Sequence, residues 1–171
     1  GFKNLEEVST LVLLQAISEH TDLPLIAAGG IVDGRAMAAA FALGAEGVQM
    51  GTRFVACAES PVHAHYKQAI VQASTTDTYM LNTQSSPCIR ALKTPYTKSL
   101  HEAGLMGPEA FKGIQDVYFG GDMNAAPALA GQSAGLIHEV KTAGEIIEET
   151  VAQFHAISAR LGQLASTSSF G

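Results

Sequence analysis

Apolar and polar positions change their spacing several times along the chain, and the clearest change comes between residues 23 and 54. Leu23–Ala28 (LPLIAA) is an apolar run without alternation, the pattern of a parallel strand buried on both faces. Gly29-Gly30 ends it. Asp33 stands where a cap is needed for a helix over Gly34–Leu43, and Gly44 suits the left-handed position just past its end. Gly47–Met50 predicts a second short strand, broken by Gly51-Thr52 as the first is broken by Gly29-Gly30. Such a β-turn-α-β-turn unit requires a parallel pair with a right-handed crossover. Both glycine turns then open at the carboxyl ends of adjacent strands, on one edge of the sheet.

The flanking pattern is helical. Ser9 or Thr10 can cap a helix running to about His20, with Leu11, Leu14, Ala16 and Ile17 as the face laid on a sheet. Past Thr52 the spacing predicts a short helix from Arg53 to about Ala58, with Phe54, Val55 and Cys57 on its buried side. Ser60 as cap and Pro61 at the first helical position predict another to about Ala73, with His63 and Lys67 on a partly open face. Thr75–Thr83 and Cys88–Leu92 have strand composition, Thr97–Ala103 and Pro108–Ile114 read as short helices, and residues 120–127 as loop. Thr142-Ala143-Gly144-Glu145 is a capping box opening the last helix. Its stripe of Ile147, Val151, Phe154 and Leu161, widened by Ile146, Ile157 and Leu164, reads as packing; Ser166–Gly171 reads as a frayed end. Three units follow: 1–59 with the βα elements, 60–140 as a mostly helical, lid-like subdomain, and 141–171 as a helix packing back.

Two glycine turns on one sheet edge suit a phosphate. Glycines let a backbone approach closely and aim several N–H groups at one point, a following helix N-terminus adds positive charge, and Thr52 and Gln49 offer side-chain donors. The competing reading is ordinary loop punctuation; the repetition of the turn after one β-α unit favours the phosphate. In (β/α)₈ barrels the common phosphate site uses the loops after strands 7 and 8.

Composition narrows the rest. The 171 residues are 47% apolar and 15% charged, enough for a well-buried domain but short of the roughly 250 of a complete barrel. A net charge of −6 without a basic cluster argues against nucleic acid or an anionic membrane as partner. Cys57 and Cys88 have neither metal spacing nor a disulfide framework, which fits a reducing cytoplasm, and no apolar run reaches membrane-spanning length. The six histidines are scattered; His63 and His65 would fall on different helix faces, so no metal site is expected and no catalytic residue is assigned.

The stretch AAGGIVDGRAMAAAFALGAEGVQMGTRF resembles the strand-7/strand-8 signature of the nitronate monooxygenase family (formerly 2-nitropropane dioxygenases), whose superfamily includes the flavin-dependent enoyl-acyl-carrier-protein reductases. A fainter likeness continues through Pro87–Leu100 and Ala130–Ile137. The resemblance implies an α/β fold, the C-terminal part of an FMN-binding TIM barrel, beginning just after strand 6. It implies FMN as cofactor, with Gly29, Gly30, Gln49, Met50, Gly51 and Thr52 at the flavin-contact positions and Met50 contributing backbone only. The implied reaction converts alkyl nitronates and O₂ to carbonyl compound and nitrite, with a histidine base in a turn upstream of Gly1 and therefore no turnover by this chain alone. Arg90 and Lys93 lie in the similar stretch, as structural pairs or closing groups. Two alternatives stand beside this: an enoyl reductase using NAD(P)H, and a non-catalytic phosphate-binding or structural α/β domain. A second copy, or the missing N-terminal half of the barrel, is expected to cover the edges of a half-barrel.

Overall fold

The computed structural model describes residues 2–3 and 8–167. The chain folds as α/β with two small sheets. The first pairs β2 (Ile26–Ala28) with β3 (Gly47–Gln49) in parallel, Ala27 opposite Val48, with α1 (Thr10–Ser18) before it and α2 (Gly34–Ala42) as the crossover. The second is antiparallel in the order β1-β5-β4, from Phe2–Lys3, Cys88–Leu92 and Thr78–Leu81. The pairing of β1 with β5 joins the start of the chain to the segment expected to form a separate subdomain, a contact between residues too far apart for local pattern to reveal.

The βα unit keeps its expected punctuation. Asp33 Oδ1 accepts from the N–H groups of Arg35 and Ala36, both at 3.0 Å, and Gly44 has φ +95°. Burial corrects two expectations. β2 is three residues long and only Ala27 is buried, Ile26 being 62% exposed, so the strand is covered on one face. That face packs in a small cluster of Leu14, Ala27, Ile31, Ala40 and Ala45, with side chains too short to fill a wide space. On α1, Leu14 alone is buried; Leu11, Ala16 and Ile17 are exposed. Neither expected cap acts there, since Ser9 makes no side-chain bond to the helix and Thr10 Oγ1 donates to Ala28 O (3.2 Å).

The larger core lies between α4 (Ala64–Gln72), Leu92 of β5 and residues 126–137, around the fully buried Tyr66, Ile70, Val117 and Ile137. The Tyr66 hydroxyl donates to Leu129 O (2.7 Å), and burial raises its pKa well above the ordinary phenol range. α4 begins after His63, whose Nδ1 accepts from His65 N–H (3.1 Å); Ser60-Pro61 stays outside it. α5 (Pro95–Ala103) starts before the expected Thr97 because Thr94 forms a capping box with Thr97. The expected helix over Pro108–Ile114 is a 3₁₀ turn at Pro108–Phe111 followed by a π turn at Asp116–Gly120.

The last helix, α6 (Ala143–Thr167), opens as expected: Thr142 Oγ1 donates to Glu145 Oε2 (2.7 Å) and accepts from Glu145 N–H (3.2 Å). Its buried face is offset from the expected stripe. Ile146 and Thr150 are buried while Ile147, Val151, Leu161 and Leu164 are exposed. The crossing with α2 sets this: a Cβ on Gly34 would lie 2.3 Å from Thr150 O, so α6 meets α2 along Thr150, Gln153 and Phe154. Ser166 and Thr167 are helical, and the remaining expected frayed residues lie outside the described ones. Among the described residues no helix is long and apolar enough to cross a membrane.

Candidate functional site

Both glycine turns open at the carboxyl ends of β2 and β3, side by side as the parallel pairing requires. Gly29 and Gly30 have φ of +98° and +79°, a backbone other residues enter only with strain. Gly51 differs: its φ of −87° is open to any residue. A Cβ on Gly30 or on Gly51 would meet no atom within 4 Å, so both turns face open space. Among the described residues the N–H groups of Gly30, Ile31, Thr52 and Arg53 have no protein acceptor. Clustered free donors beside an open hollow are what an anion needs.

The helix contribution is a correction. The first N–H groups of α2 are already satisfied, Gly34 by Gln153 Oε1 (3.0 Å) and Arg35 and Ala36 by Asp33. The α2 N-terminus is therefore spent on protein contacts, and the free donors are those of the first turn at Gly30 and Ile31 and the first two N–H groups of the short helix Thr52–Val55.

Gly29 and Gly30 line a cleft of about 430 Å³ with Thr10, Leu14, Ile31, Arg90 and Gly131–Ser133. Gln49, Met50, Gly51 and Thr52 do not line it: Gln49 is exposed and Met50 packs on the small alanine-rich cluster. Thr52 is linked to the cleft through its hydroxyl, which accepts from Gly131 N–H (3.0 Å) and keeps its own hydrogen free. The neighbouring amide, Ala130 N–H, donates to Arg90 O (3.2 Å), and Leu92 N–H donates to Ala128 O (2.9 Å). Residues 128–131 thus run along β5 as an added edge, with an antiparallel bridge between Ala91 and Leu129. Two successive amides tie the second turn to the middle of β5.

α3 (Thr52–Val55) stops earlier than expected, and its most buried side chain is charged. Arg53 is only 7% exposed, whereas Phe54 and Val55 are half-buried; Cys57 is buried as expected. Arg53 Nη1 donates to Glu139 O (3.0 Å), and desolvation lowers the guanidinium's pKa. α3 is thereby held from both ends of the 131–139 segment. Its apolar period hid this because Arg53 reads as a solvent-facing residue; the long stem is what packs.

Histidines stand elsewhere. His63 and His65 contact one another and Gly121, His101 Nδ1 lies 2.9 Å from Met80 O with its ring stacked on Tyr79, and His138 lines a separate hollow of about 150 Å³ beside Arg53 and Lys141. None of the six lines the cleft of Gly29 and Gly30. Among the described residues no group of three or more His, Cys, Asp or Glu could hold a metal.

Comparisons with known proteins identify the family and the overall fold. The family described as nitronate monooxygenase matches residues 1–153. Nitronate monooxygenase npaC of Metarhizium robertsii is 34% identical over 167 residues, covering 86% of this chain and 47% of that protein. Among solved structures, FabK from Thermotoga maritima superposes with a TM-score of 0.88 at 42% identity, covering 95% of this chain and 54% of that one. Nitroalkane oxidase from Streptomyces ansochromogenes superposes with a TM-score of 0.76 at 25% identity, covering 90% and 46%. The chain spans about half the length of these proteins. With its family signature spread over nine-tenths of its length, this α/β chain belongs to the nitronate monooxygenase family, a family of oxidoreductases.

Proposed function

We propose that this chain carries the cofactor-phosphate half of an FMN-dependent monooxygenase-type oxidoreductase that converts alkyl nitronates and O₂ to carbonyl compound and nitrite, with Gly47–Gln49 and Ile26–Ala28 as the last two strands of a barrel in the whole protein. The observation that carries the reading is the set of free N–H groups on the two turns, at Gly30, Ile31, Thr52 and Arg53, beside glycines whose missing Cβ atoms leave open space. Gly30, Ile31, Thr52 and Arg53 hold the phosphate through their N–H groups, Gly29 and Gly51 shape the two turns, Thr52 adds its free O–H, and Gln49 and Met50 border the second turn. When bound, the flavin supplies the redox chemistry between nitronate and O₂. The protein's part is to neutralise the phosphate, to exclude water along the apolar side of the cleft at Leu14 and Ile31, and to seat the substrate. Residues 60–140 act as a lid, and α6 holds the βα unit through α2. Leu11, Val12 and Ile26, all more than half exposed, are the surface that further barrel units or a second copy covers.

The likeness to FabK favours a second reading on the same phosphate site, reduction of an enoyl thioester by NAD(P)H. One experiment separates the two. O₂ uptake and nitrite release with propane-2-nitronate are measured on the FMN-loaded whole protein, since this chain alone is expected not to turn over, against NAD(P)H oxidation with crotonyl thioester. Nitrite release above that of free FMN supports the first reading, NAD(P)H oxidation alone the second. Failure to retain FMN at all, with phosphate not protecting the turn amides from hydrogen exchange, overturns both.

A further inference from the structure

Among the described residues lining the cleft there is one charged side chain, and in a chain of net charge −6 it is a cation. Arg90 lies in the middle of β5, half-buried between the buried Ile89 and Ala91. Its guanidinium makes one described hydrogen bond, Nη1 to Thr78 Oγ1 at 3.0 Å, across the β4–β5 hairpin. Among the described residues it forms no ion pair. Desolvation is what acts on it, lowering its pKa without a carboxylate to offset it. Arg53, which is buried, has the carboxylates of Glu139 and Glu149 acting on it.

A half-buried guanidinium that uses one of its five donors on a threonine leaves most of its planar fork unmatched. Among the described residues no carboxylate offsets the partial desolvation of this cation. The backbone around it is fixed: Arg90 O is held by Ala130 N–H, and the next amide, Gly131 N–H, is on Thr52. Arg90 is thus anchored to the second glycine turn yet separate from the turn donors that serve a phosphate. We propose that Arg90 determines the specificity of the cleft by binding the planar, two-oxygen anionic head of the second ligand, selecting a nitronate over its neutral nitroalkane acid. This rests on the reading of the cleft as the nitronate site. The match is geometric as well as electrostatic, since the guanidinium fork pairs with two coplanar oxygens and an ammonium does not.

The test uses nitrate, a planar monoanion, and nitroethane at pH 6 as a neutral group of like shape. Each is titrated into the FMN-loaded protein and followed by perturbation of the flavin spectrum. The wild type is expected to bind nitrate saturably and nitroethane at least about tenfold more weakly. Arg90→Met is expected to weaken nitrate about tenfold or more, with FMN affinity unchanged; Arg90→Lys retains charge but not the fork and falls between. Far-UV circular dichroism establishes that each variant is folded, and Arg90→Lys carries the test if Arg90→Met is not. Nitrate affinity unchanged in both variants overturns the proposal. So does a loss of preference for FMN over riboflavin in Arg90→Met, which would assign Arg90 to the cofactor phosphate. Should the wild type not retain FMN, the cofactor reading fails by itself. The same nitrate titration of wild type and variants by calorimetry then supports Arg90 as an anion site or overturns it.

Discussion

The glycine-turn region and the C-terminal core are built to opposite specifications. In the first, β2 and β3 are three-residue strands, α1 leaves Leu11, Val12 and Leu13 exposed, and the packing around Ala27 consists of Leu14, Ile31 and the small Ala40 and Ala45. In the second, Tyr66, Ile70, Val117 and Ile137 are sealed from solvent, and the one phenolic hydroxyl buried among them is bonded. Glycine marks both, for different reasons. At Gly30 a side chain would meet empty space and only the backbone angle demands glycine. At Gly135 an added Cβ would lie 2.1 Å from Thr75 N, so the packing demands it. One region reserves volume for something else, and the other has none to spare.

That difference can be broken by substitution. The largest effect is expected for Gly135→Ala, which drives a methyl into the backbone of Ser74 and Thr75 and forces the 3₁₀ turn at Gln132–Leu136 to move. Overpacking of this kind costs about 3 kcal/mol, read as a fall in the denaturant midpoint at unchanged slope. A midpoint equal to wild type would mean that the core is looser than its burial indicates. Gly30→Val is expected next. It costs about 1–2 kcal/mol in the turn through the left-handed backbone angle, and flavin fluorescence should report at least a tenfold loss of FMN affinity while the C-terminal core unfolds as before. Unchanged FMN affinity would count against the turns as the phosphate site. The smallest effect belongs to Thr142→Ala, which removes the cap of α6 at a cost of about 1 kcal/mol, visible as faster amide exchange in residues 143–146. Equal exchange would show that contact with α2 alone holds the helix start.

The parts legible in the sequence are those whose cause is local. Asp33, Gly44 and the Thr142–Glu145 box each act within a few residues of themselves, and each stands where the pattern put it. The two turns were legible for the same reason, since strand end and glycine are neighbours. What was hidden depends on partners far along the chain. Nothing near Arg53 announces Glu139, nothing near Thr52 announces Gly131, and nothing near Gly34 announces the α6 backbone that displaces the helix's buried face. The apolar run at Leu23–Ala28 is covered on one face only within this chain, because a run without alternation reports hydrophobicity and not which part of the molecule supplies the second covering layer. Arg90 has no local signature either, because what sets it apart is that no carboxylate among the described residues pairs with it, which is a property of space.

The hydrogen bond between Thr52 and Gly131 also sets an order of events during synthesis. Its partners are 79 residues apart. At roughly 5–20 residues per second a ribosome needs about 4–16 s to cover that distance. Both glycine turns and the parallel pair between them are made before the amide that fixes the second turn. The segment that most resembles a finished site is therefore written before the partner that gives its second turn its final form.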